Sequence, residues 1–204
     1  MIRVTVDKSA LRAIVKFAAD KGESLYYPTG VLLEADADSV RLVATNGHMM
    51  GALNCQYADG DTRAETLTQA IIPAEFIKAI KKPGRRELVC LFVEIDGDKV
   101  RFNDGETTRE AKLLDAKYPD WRTVMPRGPM SGKVAQFNTA YLWAFTDAQR
   151  ELGKGLPFAT VSHNGDCAAL VSIGRDDFVG VLMPLRADAP LDAVPVWALP
   201  IAKD

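Results

Sequence analysis

The chain has 204 residues, of which 48% are hydrophobic and 25% are charged, and its formal net charge is −2. This apolar content can fill one large core or two small ones, which argues against a disordered chain, and no run approaches the roughly 20 apolar residues that cross a bilayer. The three cysteines are far apart, with no C-x-x-C pair, so we expect a reduced, cytoplasmic compartment rather than a zinc ribbon or a disulfide framework.

The first 60 residues predict a strand, a helix and three further strands. Ile2, Val4 and Val6 alternate with polar residues, which is the pattern of a half-buried strand. A helix is predicted over 7–22, with an apolar stripe that consists of Leu11, Ile14, Val15 and Ala18. The strands that follow are predicted at 30–35, 39–45 and about 48–57.

Residues 61–126 repeat this order. A strand at 66–72 leads into a short helix that begins at Pro73 and is stopped by Pro83-Gly84. Tight Asp-Gly turns then separate strands that are predicted at 87–95, 99–103 and 106–114.

A third unit begins with the alternating segment 132–138, which predicts a strand. Asn138 or Thr139 can cap the helix that follows, whose apolar stripe consists of Tyr141, Phe145, Ala148 and Leu152. The last predicted strands are at 157–162, 167–173 and 177–183.

Three similar units of about 65 residues indicate an internal repeat. Consecutive strands joined by tight turns imply antiparallel sheets, so we expect an α+β fold of repeated strand–helix–strands units with its helices on one face. A ferredoxin-like or other α+β domain explains any single unit equally well.

Positive charge is concentrated in the predicted helices, which with their flanking turns carry eleven Lys and Arg against five Asp and Glu. Flexible cations without interleaved aromatic residues suit contacts with DNA phosphates, which position a protein on a duplex without reading its sequence. An ordinary solvated face is the alternative, and the third helix favours it because its positive and negative charges are equal in number. The candidate DNA-binding residues are Lys8, Arg12, Lys16, Lys78, Lys81 and Lys82.

The chain lacks the common catalytic motifs, including the phosphate-binding glycine loops, the zinc-protease helix and the serine nucleophile elbow. Its acidic pairs, Asp36 with Asp38 and Asp96 with Asp98, fall in predicted hairpin turns, where turn geometry favours Asp. Two histidines leave little room for metal chemistry. We therefore expect a protein without catalytic residues, metal or cofactor.

Three segments resemble the bacterial sliding clamp, the beta subunit of DNA polymerase III. The sequence YYPTGVLLEADADSVRLVATNGHMMG at 26–51 is similar to the middle domain of that family, whose signature runs A-T-D-G-H-R-L. AKYPDWRTVMP at 116–126 is similar to the F-P-D-Y-R-R-V-L-P segment that joins the middle and last domains. VLMPLR at 181–186 is similar to the C-terminal V-M-P-M-R-L.

The resemblance implies an outer antiparallel shell whose helices line a hole for duplex DNA. Residues 1–126 would form a clamp domain like the middle domain, with half-units 1–60 and 61–126, and 131–187 would form half of the last domain. A family ring contains twelve such half-domain units and this chain contains three. Four chains head to tail would supply twelve units, and the third unit would then have to pair with a unit of another chain, so we expect a homo-oligomer.

The resemblance also implies a pocket between the middle and last domains for short apolar peptides of DNA polymerases and clamp loaders. Asn46 replaces an acid of the family, Met49 replaces an arginine and Pro28 replaces a leucine, so we expect a more apolar pocket. By position, its wall would consist of Pro28, Thr45, Gly47, His48, Met49, Met50, Val124, Val181, Met183 and Leu185.

These observations predict a DNA-tethering processivity or docking factor of DNA replication, which binds duplex DNA without sequence preference and captures partner peptides. The alternative is a clamp-derived adaptor or competitor that binds proteins and does not encircle DNA. The apolar, proline-containing tail at 188–204 leaves two alternatives open: residues 191–197 lie in a groove of this or a neighbouring chain, or the tail is a packed or frayed terminus.

Overall fold

The computed structural model describes residues 1–22, 26–83, 89–153 and 156–186, so the 188–204 tail and the predicted helix stop at Gly84 lie outside the described residues. The strands are β1 (Ile2–Asp7), β2 (Gly30–Ala35), β3 (Val40–Thr45), β4 (Met49–Cys55), β5 (Thr68–Pro73), β6 (Cys90–Asp96), β7 (Lys99–Asn103), β8 (Thr108–Lys112), β9 (Thr160–Ser162), β10 (Ala169–Ser172) and β11 (Phe178–Leu182). The helices are α1 (Lys8–Ile14), α2 (Ala74–Lys78) and α3 (Thr139–Leu152), with 3-10 turns at Val15–Phe17 and Trp121–Val124. Within the described ranges, no helix is long and apolar enough to cross a bilayer.

The first two units exchange their leading strands. The four-stranded sheet has the order β1-β6-β7-β8, and the seven-stranded sheet has the order β5-β2-β3-β4-β11-β10-β9. β1 of the first unit pairs with β6 of the second, where Asp7 lies opposite Cys90. β5 of the second unit pairs with β2 of the first, where Pro73 lies opposite Gly30. In both pairs, the last residue before one unit's helix lies opposite the first residue of the strand that follows the other unit's helix.

The third unit extends the sheet of the first. β11 pairs antiparallel with β4, where Gly180 lies opposite Gly51, and α3 packs against α1. The paired glycines leave space for two aromatic rings, Phe17 and Phe145, whose centroids are 4.9 Å apart. These rings join the third unit to the first.

The strand that the alternation at 132–138 predicts is absent from this described segment. A single bridge joins Gln136 to Leu185, and the Gly132 N–H donates to the carbonyl of His163 at 3.1 Å. The segment therefore contacts the turn after β9 and the residues after β11, and no strand of the described residues lies beside it. Alternating hydrophobicity predicts an extended conformation, but a regular strand also needs a partner.

The seven-stranded sheet is covered on both faces. Because successive side chains of a strand point to opposite faces, Leu33 and Leu42 pack towards the helices while Leu32 and Val43 pack on the other side. The inner faces of both sheets and the three helices share one core. The outer face of the larger sheet is covered by residues 114–125, through Leu114, Tyr118, Trp121 and Met125.

The first two helices are shorter than predicted, whereas α3 nearly fills its predicted span. α1 continues only as a 3-10 turn to Phe17, since Ala18 has an extended backbone and the predicted span reached residue 22. The 3-10 turn ends at Phe17, and the side chains of Phe17 and Ala19 are both fully buried in the core. The remaining predicted strands are present, with ends that differ by a few residues.

Candidate functional site

The turn between β3 and β4 is fixed by its own polar side chains. Thr45 Oγ1 donates to the carbonyl of Met49 at 2.8 Å and accepts the Gly47 N–H at 3.0 Å. Asn46 Oδ1 accepts the N–H groups of His48 and Met49, each at 3.0 Å. An Asp in the family signature offers the same acceptor oxygen, so Asn preserves this turn while it removes a charge. Gly47 has a φ of +90°, which strongly favours glycine there.

A cavity of about 170 Å³ opens beside this turn. Its second wall is the end of β11, where the Met183 N–H donates to the carbonyl of His48 at 2.9 Å and continues the pairing with β4. Its third wall is the segment 119–124, which lies within the family-like sequence AKYPDWRTVMP at 116–126. The lining residues are Tyr27, Thr45, Gly47, His48, Met49, Met50, Pro119, Asp120, Trp121, Thr123, Val124, Val181 and Met183.

Most of the pocket residues implied by the resemblance come together here. The eight that line the cavity are Thr45, Gly47, His48, Met49, Met50, Val124, Val181 and Met183. Pro28 and Leu185 are outside this lining, and the Leu185 N–H bonds to the Gln136 carbonyl instead. Five lining residues were missed: Tyr27, Pro119, Asp120, Trp121 and Thr123. All five lie within the segments that resemble the family. The segments therefore predicted the location of the cavity better than the single aligned positions predicted its lining residues.

The cavity has a buried apolar floor and an accessible rim. Met50 and Val181 are each 2% exposed, whereas Met183 is 40% exposed. The exposed His48 ring stacks on Tyr141 of α3, with centroids 5.5 Å apart. Dry apolar cavities of about 150 Å³ accept a benzene-sized group, so this volume suits one aromatic or leucine-like side chain.

A buried carboxylate fixes the third wall. Glu34 on β2 is fully buried and accepts hydrogen bonds from Arg122 Nη2 at 2.6 Å and from Gln69 Nε2 at 2.9 Å, with Arg41 Nη1 at 3.5 Å. Burial alone raises the pKa of Glu34, but the hydrogen bonds from Arg122 and Gln69 outweigh it and hold that pKa below its ordinary value. The sequence contained a signal for this pair, because Glu34 is the only charged residue of the strand GVLLEA.

We expect stability to fall on acidification. The pKa of Glu34 is lowered, a hydrogen bond from Arg12 lowers the pKa of Glu151, and a hydrogen bond from Arg41 lowers the pKa of Asp36 to about 2. Lowered carboxyl pKa values stabilise the folded state fully above the unfolded-state values near pH 4–4.5, and this contribution is lost as the pH falls through the folded-state values. Urea midpoints should therefore decrease between about pH 5 and pH 3, and Glu34→Gln should reduce that decrease. A midpoint independent of pH over this interval would contradict the assignment.

Two of the predicted DNA-binding cations form ion pairs within the protein. Lys8 is only 7% exposed, and its Nζ lies 3.7 Å from Asp104 Oδ2. The Arg12 guanidinium binds both carboxylate oxygens of Glu151, at 2.8 and 3.0 Å, and donates to the carbonyl of Ile80 at 2.7 Å. Lys8 is buried and 22% of the Arg12 side chain is exposed, so both charges are engaged in contacts inside the protein. Arg12 links α1 to α3 and to the residues that follow α2. These contacts reduce the positive surface that the two residues offer to DNA, and their role as DNA contacts stays a prediction.

The other four predicted cations are exposed on the helical side. Lys16 and Lys78 line a shallow cavity of about 420 Å³ beside α1, and Lys78 also pairs with Asp20 at 2.8 Å. Lys81 and Lys82 lie exposed after α2. In the part of the chain that the structure describes, no three His, Cys, Asp or Glu side chains cluster as a metal site would require.

The sequence of the first two units matches that of a known protein family. Residues 5–120 match the sequence profile described as DNA polymerase III beta subunit, central domain. The Beta sliding clamp of Pseudomonas aeruginosa is 30% identical over 138 residues, which covers 62% of this chain and 35% of that protein. This chain therefore spans about a third of the length of the curated relatives that it matches.

Solved structures extend the likeness beyond the sequence match. The DNA polymerase sliding clamp from Pseudomonas aeruginosa, solved with ligand, superposes with a TM-score of 0.71 at 20% identity and covers 91% of this chain and 66% of that chain. The DNA polymerase III beta subunit from Thermotoga maritima gives 0.66 at 14% identity and covers 92% and 66%. The structural likeness therefore reaches most of the third unit, where the sequence match stops.

Proposed function

Because this chain belongs to the DNA polymerase III beta subunit family and has the sliding-clamp fold, we propose that it is a non-catalytic, cytoplasmic tether of DNA replication. It captures a short apolar segment of a DNA polymerase or clamp loader and contacts duplex DNA without reading its sequence. The observation that carries this proposal is the cavity beside the β3–β4 turn, which joins three distant segments of the chain around one apolar floor.

Peptide capture follows from the shape and chemistry of that cavity. A buried floor with an open methionine rim can adapt to different apolar side chains. One apolar anchor in a desolvated pocket can supply much of the binding free energy of a peptide. Since Asn46 and Met49 stand where the family has charged residues, the partner segment should rely on apolar contacts.

We expect Met183→Glu to weaken peptide binding at least tenfold, which corresponds to about 1.4 kcal/mol. The carboxylate would lie against the apolar wall and would lose hydration when a peptide binds. Leu185→Glu is the matched control, because Leu185 is 48% exposed, close to the 40% of Met183, and lies outside the cavity lining. Fluorescence anisotropy with a labelled clamp-binding segment of a replicative DNA polymerase measures both variants. Equal losses in the two variants, or none in either, would contradict the peptide proposal.

DNA contact rests on the exposed cations of the helical side, of which Lys16, Lys81 and Lys82 are the ones to test. Each phosphate contact that is lost should lower the slope of log affinity against log salt by about 0.9. The triple change of these lysines to Glu should therefore weaken duplex binding and flatten its salt dependence. The same change at Lys99, Lys112 and Lys117, which are exposed and lie outside the helices, gives an identical net charge and is the control. If both triple variants behave alike, the binding reflects net charge and no specific helical face.

A protein-binding adaptor is the second candidate function. The internal pairing of Lys8 and Arg12, together with a net charge of −2, favours it because these reduce the positive surface available to DNA. This candidate predicts peptide affinity without measurable duplex affinity. Retention on nicked circular DNA that is lost on linearisation would exclude it.

A further inference from the structure

The third unit presents a strand edge that is covered in the first two units. The first strand after the helix is β2 in the first unit and β6 in the second, and each is paired on its outer side by a leading strand of the other unit. In the third unit the corresponding strand is β9 (Thr160–Ser162), which ends the seven-stranded order and, among the described residues, pairs only with β10. An edge with free N–H and C=O groups is a template for a further strand.

The third unit also has a leading segment beside which the described part of the chain places no strand. Residues 132–138 directly precede α3, as β1 precedes α1 and β5 precedes α2. They make one bridge to Leu185 and hydrogen bonds with the turn after β9, whereas β1 and β5 each pair with the other unit over six residues. Val134 in this segment is 67% exposed.

The helix of the third unit has an exposed side chain at a position where the other two helices contact a neighbouring unit. The fifth residue of each helix is Arg12 in α1, Lys78 in α2 and Trp143 in α3. Arg12 binds the Ile80 carbonyl of the second unit, and Lys78 binds Asp20 of the first unit. Trp143 occupies the corresponding position and is 57% exposed. Just before β9, Leu156 and Phe158 are also exposed, at 90% and 51%.

We propose that the third units of two copies of this chain associate about a two-fold axis and exchange their leading segments. Residues 132–138 of each copy pair with β9 of the other, as β1 pairs with β6 and β5 with β2 inside one chain. Trp143 then packs on the helical side of the partner copy.

A second copy fits this surface because the surface is self-complementary. It contains both the outer edge of β9 and a leading segment that, within the described ranges, is not paired with a strand after a helix, so each copy offers the other an edge and a segment. The exposed side chains of Val134, Trp143, Leu156 and Phe158 then become buried in the interface. This assembly does not depend on peptide or DNA binding, so its failure and the failure of the proposed function are distinguishable.

Sedimentation velocity of the 204-residue chain tests the proposal. We expect a dimer at micromolar concentration, and Trp143→Glu and Phe158→Glu should each raise its dissociation constant at least tenfold. Leu67→Glu is the control, because Leu67 is 60% exposed and lies outside the third unit. A monomer up to about 100 µM, or a dimer unaffected by the changes at Trp143 and Phe158, would overturn the proposal.

Cross-linking provides a second test that does not depend on weakened binding. Asp7 opposite Cys90 and Pro73 opposite Gly30 predict that Asn138 of one copy lies opposite Thr160, the first residue of β9, of the other. In a background whose three cysteines are replaced by Ala, mixing Asn138→Cys chains with Thr160→Cys chains should give a covalent heterodimer on oxidation. No heterodimer would contradict the exchange. A dimer that forms only after truncation at Arg186 would assign the surface to the chain's own C-terminal segment and would also overturn the proposal.

Discussion

Replacing Arg122 with Met is expected to lower the free energy of unfolding by about 2 kcal/mol and to open the third wall of the cavity. The substitution leaves the fully buried Glu34 carboxylate without the partner that approaches it most closely, at 2.6 Å. Removing one member of a buried pair usually costs about 3–5 kcal/mol, but Gln69 and Arg41 still contact Glu34 and Arg122 is itself half exposed. Peptide binding should weaken as well, because Arg122 holds the segment that lines the cavity.

Urea denaturation and peptide anisotropy measure these two effects, and Arg127→Met is the control for loss of an exposed arginine on the same segment. Adding Glu34→Gln to Arg122→Met should restore part of the stability, since it removes the uncompensated charge. If Arg122→Met is as stable as the unchanged protein, or if Glu34→Gln adds a further loss, the buried pair does not hold this wall.

Replacing Gly180 with Val is expected to lower the free energy of unfolding by about 3 kcal/mol and the melting temperature by about 6–12 °C. A Cβ at this position would overlap the Phe145 ring, and a Cβ at the opposite Gly51 would lie 2.5 Å from Phe17 Cε2. Both rings are fully buried, so neither can move without a shift of α3 or of the α1 end. Because these rings join the third unit to the first, the cavity between the two units should be disturbed as well.

Differential scanning calorimetry of Gly180→Val and Ser172→Val separates crowding from strand propensity, since Ser172 is an exposed strand residue of β10. Combining Gly180→Val with Phe145→Leu should be less damaging than the sum of the two single changes, because the smaller side chain leaves space for the new methyl groups. A melting temperature of Gly180→Val that equals that of Ser172→Val would contradict close packing at this junction.

Local sequence patterns predicted most of the elements because their periodicities are set within a few residues. The apolar run GVLLEA and the Asp-Gly turns identify strands and hairpins without knowledge of their partners. The segment 132–138 shows the limit of this reasoning. Its alternation is typical of a strand, but whether a neighbour lies beside it depends on residues far along the chain or on another molecule.

The sequence predicted which segments form the site, but it did not predict the ion pairs that hold these segments. The turn residues Thr45 to Met49 carry their own hydrogen-bond pattern, so a sequence motif is enough to identify them. Glu34 and Arg122 are 88 residues apart, and Arg12 and Glu151 are 139 residues apart. Charge spacing on a helix shows which cations share a face, but it does not show which of them meet a distant carboxylate. This is why Arg12 was counted as a DNA contact.

The most direct test of the tether is whether one molecule holds a peptide and a duplex at the same time. Beads that carry the clamp-binding segment of a replicative DNA polymerase are incubated with the protein and a labelled duplex at low salt. The account predicts that the protein brings the duplex to the beads, and that Met183→Glu and the triple lysine variant each abolish this capture. Beads that bind the protein and leave all of the duplex in solution would contradict it.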